Sequence, residues 1–214
     1  ELLNETYQSV QTQQSLGMAT DVDVLSAEEN LRNANKAILD DQNTIENNQE
    51  KLFVVLGWKH DDRPEVGELP DPDLNRIASM NPAVDKEQAV ENSYTMKVNK
   101  RKLENAKSSD TKETLEKTIR EDTQSIGASV TSSYQNVLAA KASMELKEAQ
   151  AQLQEKSMQT TERQYHLGMI GRLDYLNRKY AYDSAVIQTQ IAKYNLLQAI
   201  QSYEWVLNGL ANAS

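Results

Sequence analysis

The chain says one sentence twice. Leu16-Gly17-Met18 is followed by Asp23, Leu25 and a long polar helix pattern, and Leu167-Gly168-Met169 is followed by Asp174, Leu176 and another. A shift of 151 positions superposes Val22 on Leu173, Leu31 on Tyr182, Ala34 on Ala185 and Leu56 on Leu207. A repeat of this length settles architecture before any single residue is weighed, because each copy must fold into the same supersecondary unit. The unit here is a helix, a tight Gly-Met turn and a second long helix.

Helix lengths follow from the scarcity of breakers. The 214 residues contain seven Gly and four Pro, and from Val22 to Leu56 there is neither. Val24, Leu31, Ile38, Ile45 and Leu52 recur every seven residues, with Ala27, Ala34 and Val55 three further on. A strict seven-residue apolar repeat is the seam of a left-handed coiled coil. Some 35 residues make a helix about 50 Å long. Thr20 or Asp21 caps its start, and Gly57 ends it. The second copy has the longer incoming arm, about Lys112 to His166, with Val130, Val137, Met144, Ala151, Met158 and Tyr165 seven apart. Leu173 to Leu207 is its return arm, where Tyr180, Ile187 and Tyr194 keep the same step and are expected in the seam. Between the copies, Trp58 to Pro82 holds all four prolines and reads as a connector, followed by one shorter helix from about Ala83 to Lys107. No run alternates like a strand. The expected fold is all-α, with elongated antiparallel helical hairpins. The first hairpin occupies 1–57, a connector with a short helix 58–111, and the second hairpin 112–211. The first incoming arm has only about 15 residues against about 50 in the second, so the chain reads as a fragment lacking residues before Glu1.

Composition removes several function classes. A net charge of −9 leaves no excess of Lys and Arg to replace phosphate counterions, which argues against nucleic acid, and it disfavours anionic lipid. There is no cysteine, hence no disulfide, thiolate nucleophile or cysteine zinc site. No apolar run approaches the roughly 20 residues of a spanning helix. Neither a phosphate loop, HExxH nor G-x-S-x-G occurs, so no catalytic residue, cofactor or metal is expected. His60-Asp61-Asp62 has the residue types of a metal site but no second His nearby, and reads as a solvated turn. His166 reads as a surface or seam residue.

The turns carry the functional signal. A glycine between antiparallel helices permits positive φ, which accounts for Gly17 and Gly168 but not for the repeated Met. Methionine is adaptable at partner-binding surfaces, so the turns read as docking tips. Asp21 suits a helix N-terminus. Arg172 is wrong for that dipole and points to a contact.

These residues resemble the TolC-type outer-membrane efflux protein family. Its turn regions have an aromatic, then Gly, then an Asp-Val-Leu-like triplet and a small residue. Tyr165, Gly168 and Leu173-Asp174-Tyr175-Leu176 match in the second copy. Gly17, Val22-Asp23-Val24-Leu25 and Ala27 match in the first, where Gln14 replaces the aromatic. Leu56-Gly57 and a helix opening at Asn81-Pro82 also follow the family's order. The resemblance implies the exit duct of a tripartite efflux or secretion system. It implies a homotrimeric helical tunnel whose tips, Leu16, Gly17, Met18, Leu167, Gly168, Met169 and Arg172, dock an adaptor (membrane fusion) protein and through it an inner-membrane pump. Asp21, Asp23 and Asp174 would then line the tunnel entrance. The implied location is exported, in the cell envelope: periplasm and outer membrane, or the cell surface where no outer membrane exists. Relatives insert barrel strands where only Ser108 to Thr111 stands here, too short for a spanning strand of about 9–11 residues, so no membrane span is expected in this chain. A coiled-coil scaffold of the envelope, with no channel, is the competing reading.

Overall fold

The computed structural model describes residues 1–59 and 67–210. Seven helices occupy them: α1 (Leu2–Ser15), α2 (Asp21–Leu56), α3 (Leu74–Ser79), α4 (Pro82–Asn92), α5 (Tyr94–Asn105), α6 (Ser109–His166) and α7 (Arg172–Leu207). The fold is all-α, with no strand among the described residues. The repeat holds at element level, since α2 and α7 are each 36 residues long. The His60-Asp61-Asp62 turn lies outside the described residues.

The chain divides into two compact units. The first comprises Glu1–Glu68 and Glu155–Asp183, the second Leu69–Gln154 and Ser184–Ser214. In the first, α1 packs along α2 and covers only part of it. Val24, Ala27, Leu31 and Ala34 are buried or half-buried, whereas Ile38, Ile45 and Leu52, on the same stripe, are exposed. The cause is length: α1 has 14 residues, enough to cover about 21 Å of α2.

The second unit holds the main core. The α6 stripe Val130, Val137 and Met144 packs with Ala192, Leu196, Ile200, Tyr203 and Leu207 of α7. Ile77 of α3, Met80 and Ala89 of α4 join the same cluster. The α7 seam is therefore not Tyr180, Ile187 and Tyr194, which are exposed. Thr189, Leu196 and Tyr203 occupy the inward face instead, with the Thr189 hydroxyl donating to the Lys147 carbonyl of α6 (3.1 Å). A threonine in the seam hides its register from an apolar count.

The expected single helix over Ala83 to Lys107 is two. Ser93 is extended (φ −57°, ψ 122°), ends α4 and caps α5 by accepting the Met96 N–H (3.3 Å). Serine suits that position because its hydroxyl substitutes for a missing helix acceptor. The break docks the end of α7: the Asn92 side-chain amide donates to the Leu207 carbonyl (2.8 Å), and the Asn92–Ser93 backbone closes over Gly209. At the other end of α4, Asn81 accepts the Ala83 N–H (3.2 Å), Pro82 stands at the first turn, and the Asp85 carboxylate accepts the Asn81 N–H (2.9 Å). Asp85 also accepts the Tyr203 hydroxyl, and Arg76 pairs with Glu204 at 2.5 Å.

Candidate functional site

Both Leu-Gly-Met turns adopt the same structure. Gly17 and Gly168 are left-handed, with φ of 72° and 70°. The Gly17 N–H donates to the Gln14 carbonyl (2.9 Å) and the Met18 N–H to Gln13 (2.8 Å). In the second turn Gly168 donates to Tyr165 (2.9 Å) and Met169 to Gln164 (2.8 Å). This is the Schellman cap, in which a left-handed residue lets two N–H groups satisfy orphan helix carbonyls. The glycines are thus explained by backbone geometry alone.

The apolar residues beside them are not. A Schellman cap ordinarily packs the residue after the glycine on the third-last residue of the helix. At Gly57 that contact exists: Trp58 lies on Phe53 with ring centroids 5.8 Å apart. At the two tips the helix position is Gln13 or Gln164, and the methionines find no such partner. Leu16, Met18, Leu167 and Met169 remain 68, 76, 74 and 68% exposed.

The hairpins are tied differently behind identical turns. In the first, the Gln14 amide donates to Asp21 across the turn (2.6 Å). In the second, Tyr165 occupies the Gln14 position and stacks on Tyr175 at 4.6 Å between ring centroids. His166 is exposed, its ring tilted 51° to that of Tyr165 with centroids 6.2 Å apart.

The paired aspartates also diverge. Thr20 accepts the Asp23 N–H (3.3 Å), while the Asp23 carboxylate accepts the Thr20 N–H (2.8 Å) and hydroxyl (2.7 Å), a complete capping box. The hydroxyl bond, then the backbone bond, holds the Asp23 carboxyl below its ordinary value. Its counterpart Asp174 faces Gly171 where the first copy has Thr20, so no such box forms. Asp174 lines a polar cavity of about 400 Å³ with Arg178, Thr160, Thr161 and Gln164.

Arg172 holds the first arm against the second hairpin. Its guanidinium lies 2.8 Å from Glu5 and 3.6 Å from Glu1. Sequence reasoning missed these partners, although Glu1 and Glu5, four apart, share one helix face. The Lys179 ammonium is held above its ordinary value mainly by its bond to Asp183, with Glu1 adding a smaller attraction. Arg172 thus pairs two successive turns of α1 with the start of α7.

Among the described residues no group of three or more His, Asp or Glu side chains could hold a metal, and no helix is long and apolar enough to cross a membrane. No family model matches the chain, and no curated protein matches it.

Proposed function

We propose that this chain is the duct component of a tripartite efflux or secretion system in the cell envelope, and that the two Leu-Gly-Met turns are where an adaptor protein docks. The observation that carries the reading is the pair of identical caps, each presenting a leucine and a methionine that nothing in the local motif consumes. Flexible Met side chains suit a groove between two partner helices. Arg172, paired with Glu5 and Glu1, ties the arm before the first tip to the helix after the second. In the working form three copies enclose a passive conduit, and Asp21, Asp23 and Asp174 stand near its mouth. Adaptor binding opens the tips, and the pump reached through that adaptor drives transport.

Gly168→Asp with Met169→Asp tests the docking. The pair should abolish co-sedimentation with an adaptor helical hairpin while leaving the far-ultraviolet helical signal intact. Retained binding at unchanged helicity would sink the docking role. A second reading, an envelope coiled-coil scaffold without a channel, draws on the exposed Ile38, Ile45 and Leu52 stripe, which offers a helix-pairing edge by itself. It expects no adaptor binding and a particle of one or two copies.

A further inference from the structure

The acidity of the chain is not uniform. Residues 97–112, which form most of α5, the turn after it and the start of α6, contain Lys97, Lys100, Arg101, Lys102, Lys107 and Lys112 against only Glu104 and Asp110. That is a net +4 in 16 residues of a chain whose total is −9. Elsewhere charges pair along the helices at four-residue spacing, as in Arg32–Glu28, Lys36–Asp40, Lys141–Glu145 and Lys179–Asp183. None of the six cations has an ion-pair partner among the described residues. Lys97 instead has Lys100 and Arg101 at three and four residues, a like-charge arrangement that disfavours a helix. The helix dipole rationalises a cation in the last turn of α5, such as Lys102, but not Lys97 in its first.

The same corner carries an apolar groove of about 530 Å³. Val98, Ala106 and Leu115 line it together with Arg101, Lys102, Asn105 and Thr111. Thr111 and Leu115 share one face of α6. Glu113 falls on the opposite side of that helix, and neither Glu104 nor Asp110 is among the residues that line the groove.

From this juxtaposition of unpaired cations and an apolar groove we propose that the α5–α6 corner rests on the surface of an anionic lipid bilayer. The net charge of the chain does not oppose this, because at physiological salt a charge more than about 8 Å away is largely screened and the local patch dominates. A cluster of four to eight basic residues is about what binding to an anionic leaflet requires. The groove decides between lipid and a soluble polyanion: a polymer of phosphates uses only the cations, whereas a lipid also offers acyl and glycerol carbons to Val98, Ala106 and Leu115. The contact is peripheral, lies in the second unit, and stands whether or not the tips dock an adaptor.

The test is flotation of the full chain with vesicles of equimolar phosphatidylglycerol and phosphatidylcholine, beside vesicles of phosphatidylcholine alone. Binding should require the anionic lipid, weaken steeply with salt, and fall at least about ten-fold in Arg101→Glu with Lys102→Glu. Both residues are exposed, so the variant should keep its helicity, and Arg101→Lys with Lys102→Arg should keep its binding. Equal binding to neutral vesicles, or no loss on charge reversal, would overturn the proposal. So would polyphosphate binding as tightly as the vesicles and displacing the chain from them, which assigns the patch to a soluble polyanion.

Discussion

Four glycines adopt the left-handed conformation here, and their surroundings separate what each would cost to replace. A side chain at Gly17 or Gly168 meets nothing within 4 Å, so alanine incurs only the backbone penalty of about 1–2 kcal/mol. A Cβ at Gly209 would lie 2.6 Å from the Asn92 carbonyl oxygen and 2.8 Å from the Ser93 nitrogen. Those are backbone atoms of the α4–α5 break and cannot swing aside. Gly209→Ala should therefore destabilise by about 2–4 kcal/mol, at least 1 kcal/mol more than Gly168→Ala, read from urea midpoints. Gly127 is the opposite case. The contact at 2.8 Å is the far end of the flexible Lys86 side chain, so Gly127→Ala should keep most of the roughly 1 kcal/mol of helix propensity it gains. Tyr203 adds a pH signature. Burial first, then the bond to Asp85, raises its phenol above the ordinary value. A group raised on folding stabilises below its unfolded pKa of about 10 and loses that contribution as pH climbs above it. Tyr203→Phe should cost about 1–3 kcal/mol at neutral pH and flatten the part of the alkaline stability loss that begins near pH 10, as followed by denaturant titration across pH.

At the scale of elements, the repeat proved a better guide to register than the apolar count. Ile38, Ile45 and Leu52 of α2 map onto Thr189, Leu196 and Tyr203 of α7, the face that α7 buries. Reading α7 by hydrophobicity alone selects Tyr180, Ile187 and Tyr194 because Thr189 does not count as apolar, although its hydroxyl is satisfied by α6. The α6 stripe was legible because Val130, Val137, Met144, Ala151, Met158 and Tyr165 keep the seven-residue step, and all are buried except Ala151 and Tyr165, which are half-buried. The break at Ser93 was not legible: Asn92-Ser93 is an ordinary helical dipeptide until the end of α7 is placed against it. Of the candidate site, the turns and their left-handed glycines could be read directly. The Arg172 partners could not, because they depend on how α1 lies against α7. The same comparison yields a dynamic expectation. Equivalent positions are covered in α7 and bare in α2, and a helix without a packed face is marginally stable. Amide exchange at residues 38–52 should be at least about ten-fold faster than at residues 189–203. Equal protection in dilute solution would mean that α2 stands on its own propensity.

For the molecule as a whole, the bare stripe of α2 bears on the proposed trimer. Ile38, Ile45 and Leu52 are a heptad seam that the described helices leave exposed, and Leu39 and Val55 widen it. Such a seam gains stability only when another helix covers it. If three copies of this chain assemble, the exposed stripe of α2 is one edge a neighbouring copy can cover. A closed ring of three requires head-to-tail contacts, so the stripe would meet a different face of the next copy. Sedimentation velocity on the full chain should then show a concentration-dependent species of three copies. Ile38→Asp with Ile45→Asp should return it to a single copy. Because these side chains are exposed within their own chain, the variant's helical signal at low concentration should match the parent's. A parent that stays monomeric into the high micromolar range would remove the stripe from the assembly and leave the docking tips to be tested without a trimer. A trimer that survives both aspartates would place the contact on another face, with the exposed Tyr180, Ile187 and Tyr194 side of α7 the next to substitute.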